Sequence, residues 1–122
     1  MDISSVISPI VDNTVIVKDW QGSVYWPSLN INTIGNIVNG QGYQIKSDQS
    51  SVLNIEGDLI PYDYTINMPQ GWFMLGYLNQ SSSDASVMME PIVDNITIVK
   101  DWLGNVYWPM LNINTLGFMS PG

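Results

Sequence analysis

β-Branched and aromatic residues follow the same short pattern at two places in this chain. Residues 14–18 read Thr-Val-Ile-Val-Lys, and residues 96–100 read Ile-Thr-Ile-Val-Lys. Each run is followed by Asp-Trp-x-Gly and then by Val-Tyr-Trp-Pro, at residues 24–27 and 106–109. Two strand-forming runs joined by a tight segment with glycine at its end predict a β-hairpin with a type I turn and a glycine bulge. We therefore expect two hairpins of the same design.

A short helix is predicted before each hairpin. Serine hydroxyls at residues 81–83 can cap a helix over residues 84–89, the carboxylate of Asp84 favours its first turn, and Pro91 ends it. Residues 2–7, which precede Pro9, are expected to form the matching helix.

Between and after the hairpins the pattern is less regular. Residues 29–35 alternate apolar and polar side chains, which fits either a half-buried strand or a structured connection. The polar residues 79–83 form the one linker-like segment. Three short runs and a longer apolar one predict further strands, at residues 42–46, 51–55, 65–68 and 71–78.

The two hairpins belong to a longer repeat. Residues 2–40 align with residues 84–122 without a gap and are identical at 24 of 39 positions. We call residues 1–40 and 84–122 the first and second A copies, and residues 41–83, which occur once, the B segment. A repeat unit that is only half present does not normally bury its own apolar face. We therefore expect the second A copy to complete its sheet with strands of the B segment or of another molecule.

These elements predict a mainly β fold with short helices, an α+β class of small antiparallel barrel or sandwich units arising from an internal duplication in A-B-A order. One short helix is expected to cover an open end or face of each unit. The whole chain is expected to form one compact or two-lobed domain, since its length suits a single domain.

The charge and composition of the chain limit the kinds of partner that it is expected to bind. The chain carries eleven acidic residues, three lysines and no arginine, for a net charge of −8, so nucleic acid and anionic membranes are not expected partners. Only 11 % of the residues are charged, against about 25 % in an average soluble domain. A surface of uncharged polar side chains suits a protein that packs against neighbours. No basic and apolar leader follows Met1, so a classical signal peptide is not expected if Met1 is the native start.

Catalytic and metal chemistry are not expected. Histidine and cysteine are absent, which removes the usual general base, the thiolate nucleophile and thiolate zinc ligands. Calcium would need several converging oxygen ligands, and the acidic residues stand in turn and capping positions without a calcium-loop spacing. We predict a non-enzyme without cofactor or metal. The carboxylates considered are Asp12, Asp19, Asp58, Asp63, Asp94 and Asp101.

Several strings together resemble a known type of repeat module. They are Gly-Trp-Phe-Met-Leu-Gly-Tyr-Leu at residues 71–78, Ile-Val-Lys-Asp at 98–101, Val-Tyr-Trp-Pro at 106–109 and Gly-Gln-Gly-Tyr-Gln-Ile-Lys at 40–46. In permuted order they resemble a module of structural proteins of marine tailed phages and of multidomain surface proteins of Bacteroidetes-type bacteria. The resemblance implies a structural or binding role without an active site. It also implies a place in the virion or at the bacterial surface. Homo-oligomers or other structural subunits are the expected partners because the second A copy lacks a B segment after it.

Aromatic residues are the candidate binding residues. An exposed ring can stack on the apolar face of a sugar, and repeated rings would add avidity, so a carbohydrate-binding adhesion module is the alternative function. The same rings can equally form the core or contact a partner. Trp26 and Trp108 lie in predicted strands, which favours the core. Trp20 and Trp102 lie in turns, where we expect exposed rings that stack on a glycan or contact another subunit. The full set is Trp20, Tyr25, Trp26, Trp72, Trp102, Tyr107 and Trp108.

Overall fold

The computed structural model describes residues 1–61 and 63–121. It contains two compact units, Met1–Gly76 and Tyr77–Gly122. The first unit holds the first A copy and most of the B segment; the second holds the end of the B segment and the second A copy. Both consist of small antiparallel sheets and short helices, which confirms the predicted mainly β class. Over the described ranges the sheets have two to four strands, and none closes into a barrel.

The first unit opens with the predicted helix. Helix α1 (Ile3–Ile7) is capped by Asp2, whose carboxylate accepts the Ser4 N–H at 2.8 Å. Ile3 and Ile7 are four residues apart, so both point to the same side of the helix and are buried. A 3-10 segment, Ser8–Asn13, with a proline at its start, follows directly and leads the chain into the sheet.

The first unit contains a four-stranded antiparallel sheet. Its strands are β1 (Thr14–Lys18), β2 (Val24–Trp26), β3 (Ile31–Asn32) and β4 (Gln44–Ser47), in the order β3-β2-β1-β4. The predicted hairpin is confirmed, with Val17 opposite Tyr25. Gly22 closes the turn at a φ of 88°, the left-handed conformation that favours glycine. Residues 29–35 combine both predicted alternatives, since the left-handed Asn30 leads into the two-residue strand β3.

The core of the first unit lies between α1 and the sheet. Ile3, Ile7 and Val17 form its buried cluster, and Val17 has no exposed surface. The B segment contributes to this core through Tyr43 and Leu53, which pack against the cluster. The first A copy is therefore covered in part by side chains that lie outside it. Four residues of the A copy also pack there, namely Ile10, Tyr25, Ile34 and Ile37.

Most strands predicted in the B segment are wrong. Only residues 44–47 form a strand, and residues 51–55 and 65–68 are irregular. The long apolar run 71–78 makes a single bridge, between Leu75 and Gln41, instead of a central strand. A run of strand-forming residues becomes a strand only where a neighbour matches its backbone hydrogen bonds, and these runs pair with no strand among the described residues.

Two backbone segments of the first unit cross at close range. The Gly42 N–H donates to the Met74 carbonyl at 2.7 Å, and the Gly76 N–H donates to the Gly40 carbonyl at 2.9 Å. A Cβ atom on Gly42 would lie 3.1 Å from the carbonyl oxygen of Leu75. Glycine is therefore favoured at this crossing because of the close approach of two backbones.

The second unit repeats the A architecture in shorter form. Helix α2 (Ala85–Met88) and a 3-10 segment, Glu90–Asn95, follow the short strand β5 (Ser83–Asp84). The strands β6 (Val99–Lys100), β7 (Val106–Trp108) and β8 (Ile113–Asn114) form one sheet, and β5 pairs with β9 (Phe118–Met119). The second hairpin is confirmed, but the strand predicted over residues 96–100 is present only at Val99 and Lys100. The predicted linker is also shorter, since its last residue, Ser83, belongs to β5.

We expect Gly42→Ala to lower the free energy of unfolding of the first unit by about 1–3 kcal/mol, because the added methyl group would press on the backbone carbonyl of Leu75, 3.1 Å away. Gly57→Ala is the matched control, since a Cβ at Gly57 meets no atom within 4 Å. Urea denaturation followed by circular dichroism measures both variants. Equal stability of the two variants would contradict the close crossing.

Candidate functional site

The two A copies make the same local hydrogen bonds, so each serves as a reference for the other. Asp84 caps α2 as Asp2 caps α1, accepting the Ser86 N–H at 2.9 Å. The Asn32 side chain donates to Asp2 at 3.0 Å, and the Asn114 side chain donates to Asp84 at 3.1 Å. Because the A sequence folds alike in both places, structural differences between the copies point to the contribution of the B segment.

The first difference is the length and pairing of the hairpin's first strand. Strand β1 pairs with β2 only at Val17 and Lys18, whereas its pairing with β4 reaches back to Thr14. Strand β6 lies at the edge of its sheet, with β7 as its neighbour, and contains two residues. The first half of β1 is thus ordered as a strand by β4. The equivalent residues 96–98 retain the strand-forming sequence Ile-Thr-Ile.

The second difference is the burial of the central valine. Val17 is fully buried between α1 and the sheet, whereas its counterpart Val99 is only half-buried. On the helix side, Ala85 and Met89 are buried in the second copy, as Ile3 and Ile7 are in the first. The helix face of the second copy is therefore covered, and the strand face is not fully covered.

The third difference concerns the tryptophan in the hairpin turn. The ring of Trp20 packs against Phe73 of the B segment, with centroids 5.3 Å apart and planes tilted by 60°. Its indole N–H is buried and meets no acceptor among the described residues. Trp102, at the same position of the second copy, is 90 % exposed. The predicted difference between turn and strand tryptophans therefore holds for Trp102 and not for Trp20.

The fourth difference is the contact made by the asparagine that ends the 3-10 segment of each copy. The Asn13 side chain donates to the Ser51 hydroxyl at 2.9 Å, and the Asn13 carbonyl accepts the Asp48 N–H at 3.1 Å. Its counterpart Asn95 is exposed. Asn13 and Asn95 both follow an aspartate and precede a β-branched run, so no local feature of the sequence distinguishes them.

The turn that carries Trp102 is held in a defined shape. The Asp101 carboxylate accepts the backbone N–H groups of Leu103 and Asn105, each at 2.9 Å, and the Asn105 side chain at 2.9 Å. The hydrogen bond from the Asn105 side chain is the main cause that lowers the pKa of Asp101 below its ordinary value. Gly104 follows with a φ of 89°. Trp102 is therefore an exposed ring on a structured turn.

The remaining candidate aromatics have mixed placements. Tyr25 packs against the core of the first unit and is half-buried, as Tyr107 is in the second unit. Trp26 and Trp108 are also half-buried, and Trp72 is 67 % exposed. Four of the seven lie in the first unit and three in the second.

The differences between the copies define one candidate surface in the second unit. We call it the β6 surface, and it consists of Asn95, Ile98, Val99 and Trp102. It combines a sheet edge, a half-covered apolar residue and an exposed aromatic ring. A sheet edge beside apolar side chains is a feature through which a protein strand is bound.

Metal and membrane sites were also sought. In the part of the chain that the structure describes, no three residues of the types His, Cys, Asp and Glu lie close enough together to hold a metal ion. Across the same residues, no helix has the length and apolar character needed to cross a membrane.

No protein-family model, curated protein or solved structure matches this chain. The comparison between its own two A copies is therefore the one that defines the candidate surface.

We expect acid to destabilise the second unit in part through Asp101. Because its pKa is lowered in the folded state, the charged form stabilises the fold above the ordinary value of 3.8. That stabilisation is lost as the pH falls through the folded pKa. Urea denaturation from neutral pH to well below 3.8 should show a shallower loss of stability for Asp101→Asn than for the wild type. Identical pH profiles would contradict this role.

Proposed function

We propose that this protein is a non-catalytic structural subunit that self-associates, or docks on another structural subunit, through the β6 surface. The observation that supports this proposal is the contrast between identical sequences. Residues 16–20 and 98–102 both read Ile-Val-Lys-Asp-Trp. The first run is covered by β4 and Phe73, and the second is at a sheet edge with its tryptophan exposed.

The β6 surface offers both parts of a strand-docking interaction. An extended partner chain can continue the sheet by backbone hydrogen bonds at its edge, which gives affinity without strict side-chain requirements. Trp102 and Val99 add apolar area beside that edge, and tryptophan is among the residues that most often dominate protein interfaces. The apolar contact also compensates the entropy lost when two molecules associate.

The setting we propose is the virion of a tailed phage, with a bacterial surface appendage as the other setting of the same role. The motif resemblance at residues 40–46, 71–78 and 98–109 supports it, together with the low fraction of charged residues. We further propose that an internal duplication produced the two A copies. A strand docked on β6 would then complete the small sandwich-like or barrel-like unit.

A carbohydrate-binding adhesion module is the second candidate function. It is favoured by the 90 % exposure of Trp102 on a turn whose polar groups, from Asp101 and Asn105, lie beside it. A flat aromatic ring flanked by carboxylate and amide groups can stack on a sugar and bond its hydroxyls.

We expect the purified chain to self-associate with rising concentration, and Ile98→Pro to abolish the association. The Asp101 N–H donates toward β7, to the Asn105 carbonyl at 3.1 Å. Backbone groups alternate sides along an extended strand, so those of Ile98 point to the open edge. Proline removes the N–H there and blocks strand addition. Sedimentation velocity over a wide concentration range measures the effect.

Two controls accompany this experiment. Ile98→Pro should retain the circular dichroism spectrum of the wild type, and Ile98→Ala, which loses the same half-buried side chain but keeps the backbone N–H, should still associate. Trp102→Ala removes an exposed ring and should weaken association without a loss of stability. A wild-type chain that stays monomeric at every concentration, or an Ile98→Pro variant that associates normally, would contradict self-assembly through this edge.

For the carbohydrate candidate, we expect glycans to change the tryptophan fluorescence of the wild type, and Trp102→Ala to remove that change. Trp26→Phe serves as a control, because its half-buried strand position is not available for stacking. A glycan array without a binder, measured on the wild-type chain, would eliminate this candidate.

A further inference from the structure

We propose that the occupant of the β6 surface is a strand of the B type from a second molecule, docked in the register that β4 has on β1. This inference rests on the proposed assembly function and goes beyond it by naming the partner's chemistry. The partner is an extended segment with the pattern Gly-Tyr-Gln-Ile-Lys-Ser, which residues 42–47 display in this chain.

The β1–β4 contact is an interface that this chain already makes, and the β6 surface continues it in the second copy. Three backbone pairs hold β4 on the identical strand sequence, namely Ile16 with Lys46, Val17 with Ile45 and Lys18 with Gln44. The three β1 residues of these pairs are repeated in the second A copy as Ile98, Val99 and Lys100. A strand that satisfies the first edge therefore meets the same backbone and side-chain pattern at the second.

The predicted register follows directly from those pairs. Ile45 of the docked strand would lie opposite Val99, with Lys46 opposite Ile98. A shift by one residue would turn every side chain of the strand to the other face of the sheet. The register is therefore specified by which face is apolar, and Val99 supplies the apolar face.

Contacts outside the β1–β4 strand pairing also favour a B-type strand as the occupant. In the first unit the B segment bonds Asn13 through Ser51 and packs Phe73 on Trp20. The counterparts of those two A residues, Asn95 and Trp102, are both exposed. A generic strand could pair with the edge, but the B type also carries groups that fit these two side chains.

The B-segment residues that pack on the core of the first unit also support a B-type strand as the occupant. Tyr43 and Leu53 of the B segment pack on the cluster that includes Val17. Val99, at the position of Val17, is half-buried, so a B-type strand would supply the apolar side chains that complete its cover. The B segment of this chain is engaged with its own β1, so we place the docking strand on another structural subunit that presents an unpaired B-type strand.

The absence of cysteine in this chain allows a direct test by disulfide trapping. The full chain carrying Val99→Cys is incubated with synthetic peptides of residues 40–55 under mild oxidation. One peptide carries Ile45→Cys, which the register places opposite Val99. The matched peptide carries Lys46→Cys, which points to the other face. A chain with both Val17→Cys and Ile45→Cys is the positive control, because those residues are paired within the first unit.

We expect the Ile45→Cys peptide to form a disulfide with Val99→Cys. The Lys46→Cys peptide should not form this disulfide. The unlabelled wild-type peptide should also reverse the self-association of the wild-type chain in sedimentation, because it occupies the same edge. Circular dichroism confirms that Val99→Cys retains the fold.

Three results would overturn the inference. They are equal crosslinking by both peptides, no crosslinking while the positive control forms its disulfide, and a dominant Val99→Cys dimer that the peptide does not displace. If association remains sensitive to Ile98→Pro while the peptide has no effect, the assembly function stands and the B-type partner is wrong. If association is also absent, both fail.

Discussion

The backbone hydrogen bonds between β1 and β4 are the interaction on which the first unit depends. The hairpin alone orders two residues of β1, and the other three become strand because β4 accepts and donates on the opposite side. Full burial of Val17 follows from the same pairing, since β4 brings Tyr43 and Leu53 toward the helix. Buried backbone groups must be paired, so the sheet and its core form together.

The second unit shows the A sequence without that pairing. Its caps, its turn and its hairpin keep the geometry of the first copy, so local sequence is sufficient for them. What changes is confined to one side: β6 shortens, Val99 gains exposure and Trp102 is uncovered. Identical residues thus act as core in one place and as surface in the other, and the assembly role we propose follows from that asymmetry.

The sequence predicted the elements whose causes are local. Helix-start signals, prolines and the Asp-Trp-x-Gly turn each act within a few residues, and both helices and both hairpins were found from them, although Asp84 rather than the preceding serines caps α2. The B segment was predicted poorly because strand pairing depends on distant partners, and runs such as residues 51–55 find none among the described residues. The contrast between Trp20 and Trp102 had no local signal either, since it is caused by Phe73, which is remote in the chain from both.

The close crossing at Gly42 and Gly76 has a consequence for variation in the B segment. Two hydrogen bonds hold residues 40–42 against residues 74–76, so the intervening residues form a loop whose two ends are fixed together. The entropy of closing such a loop changes slowly with its length. Insertions between Leu53 and Phe73, the residues of this loop that pack on the core cluster and on Trp20, would therefore leave the strand that covers β1 in place. Variation in length is expected there, and not at the residues that make these contacts.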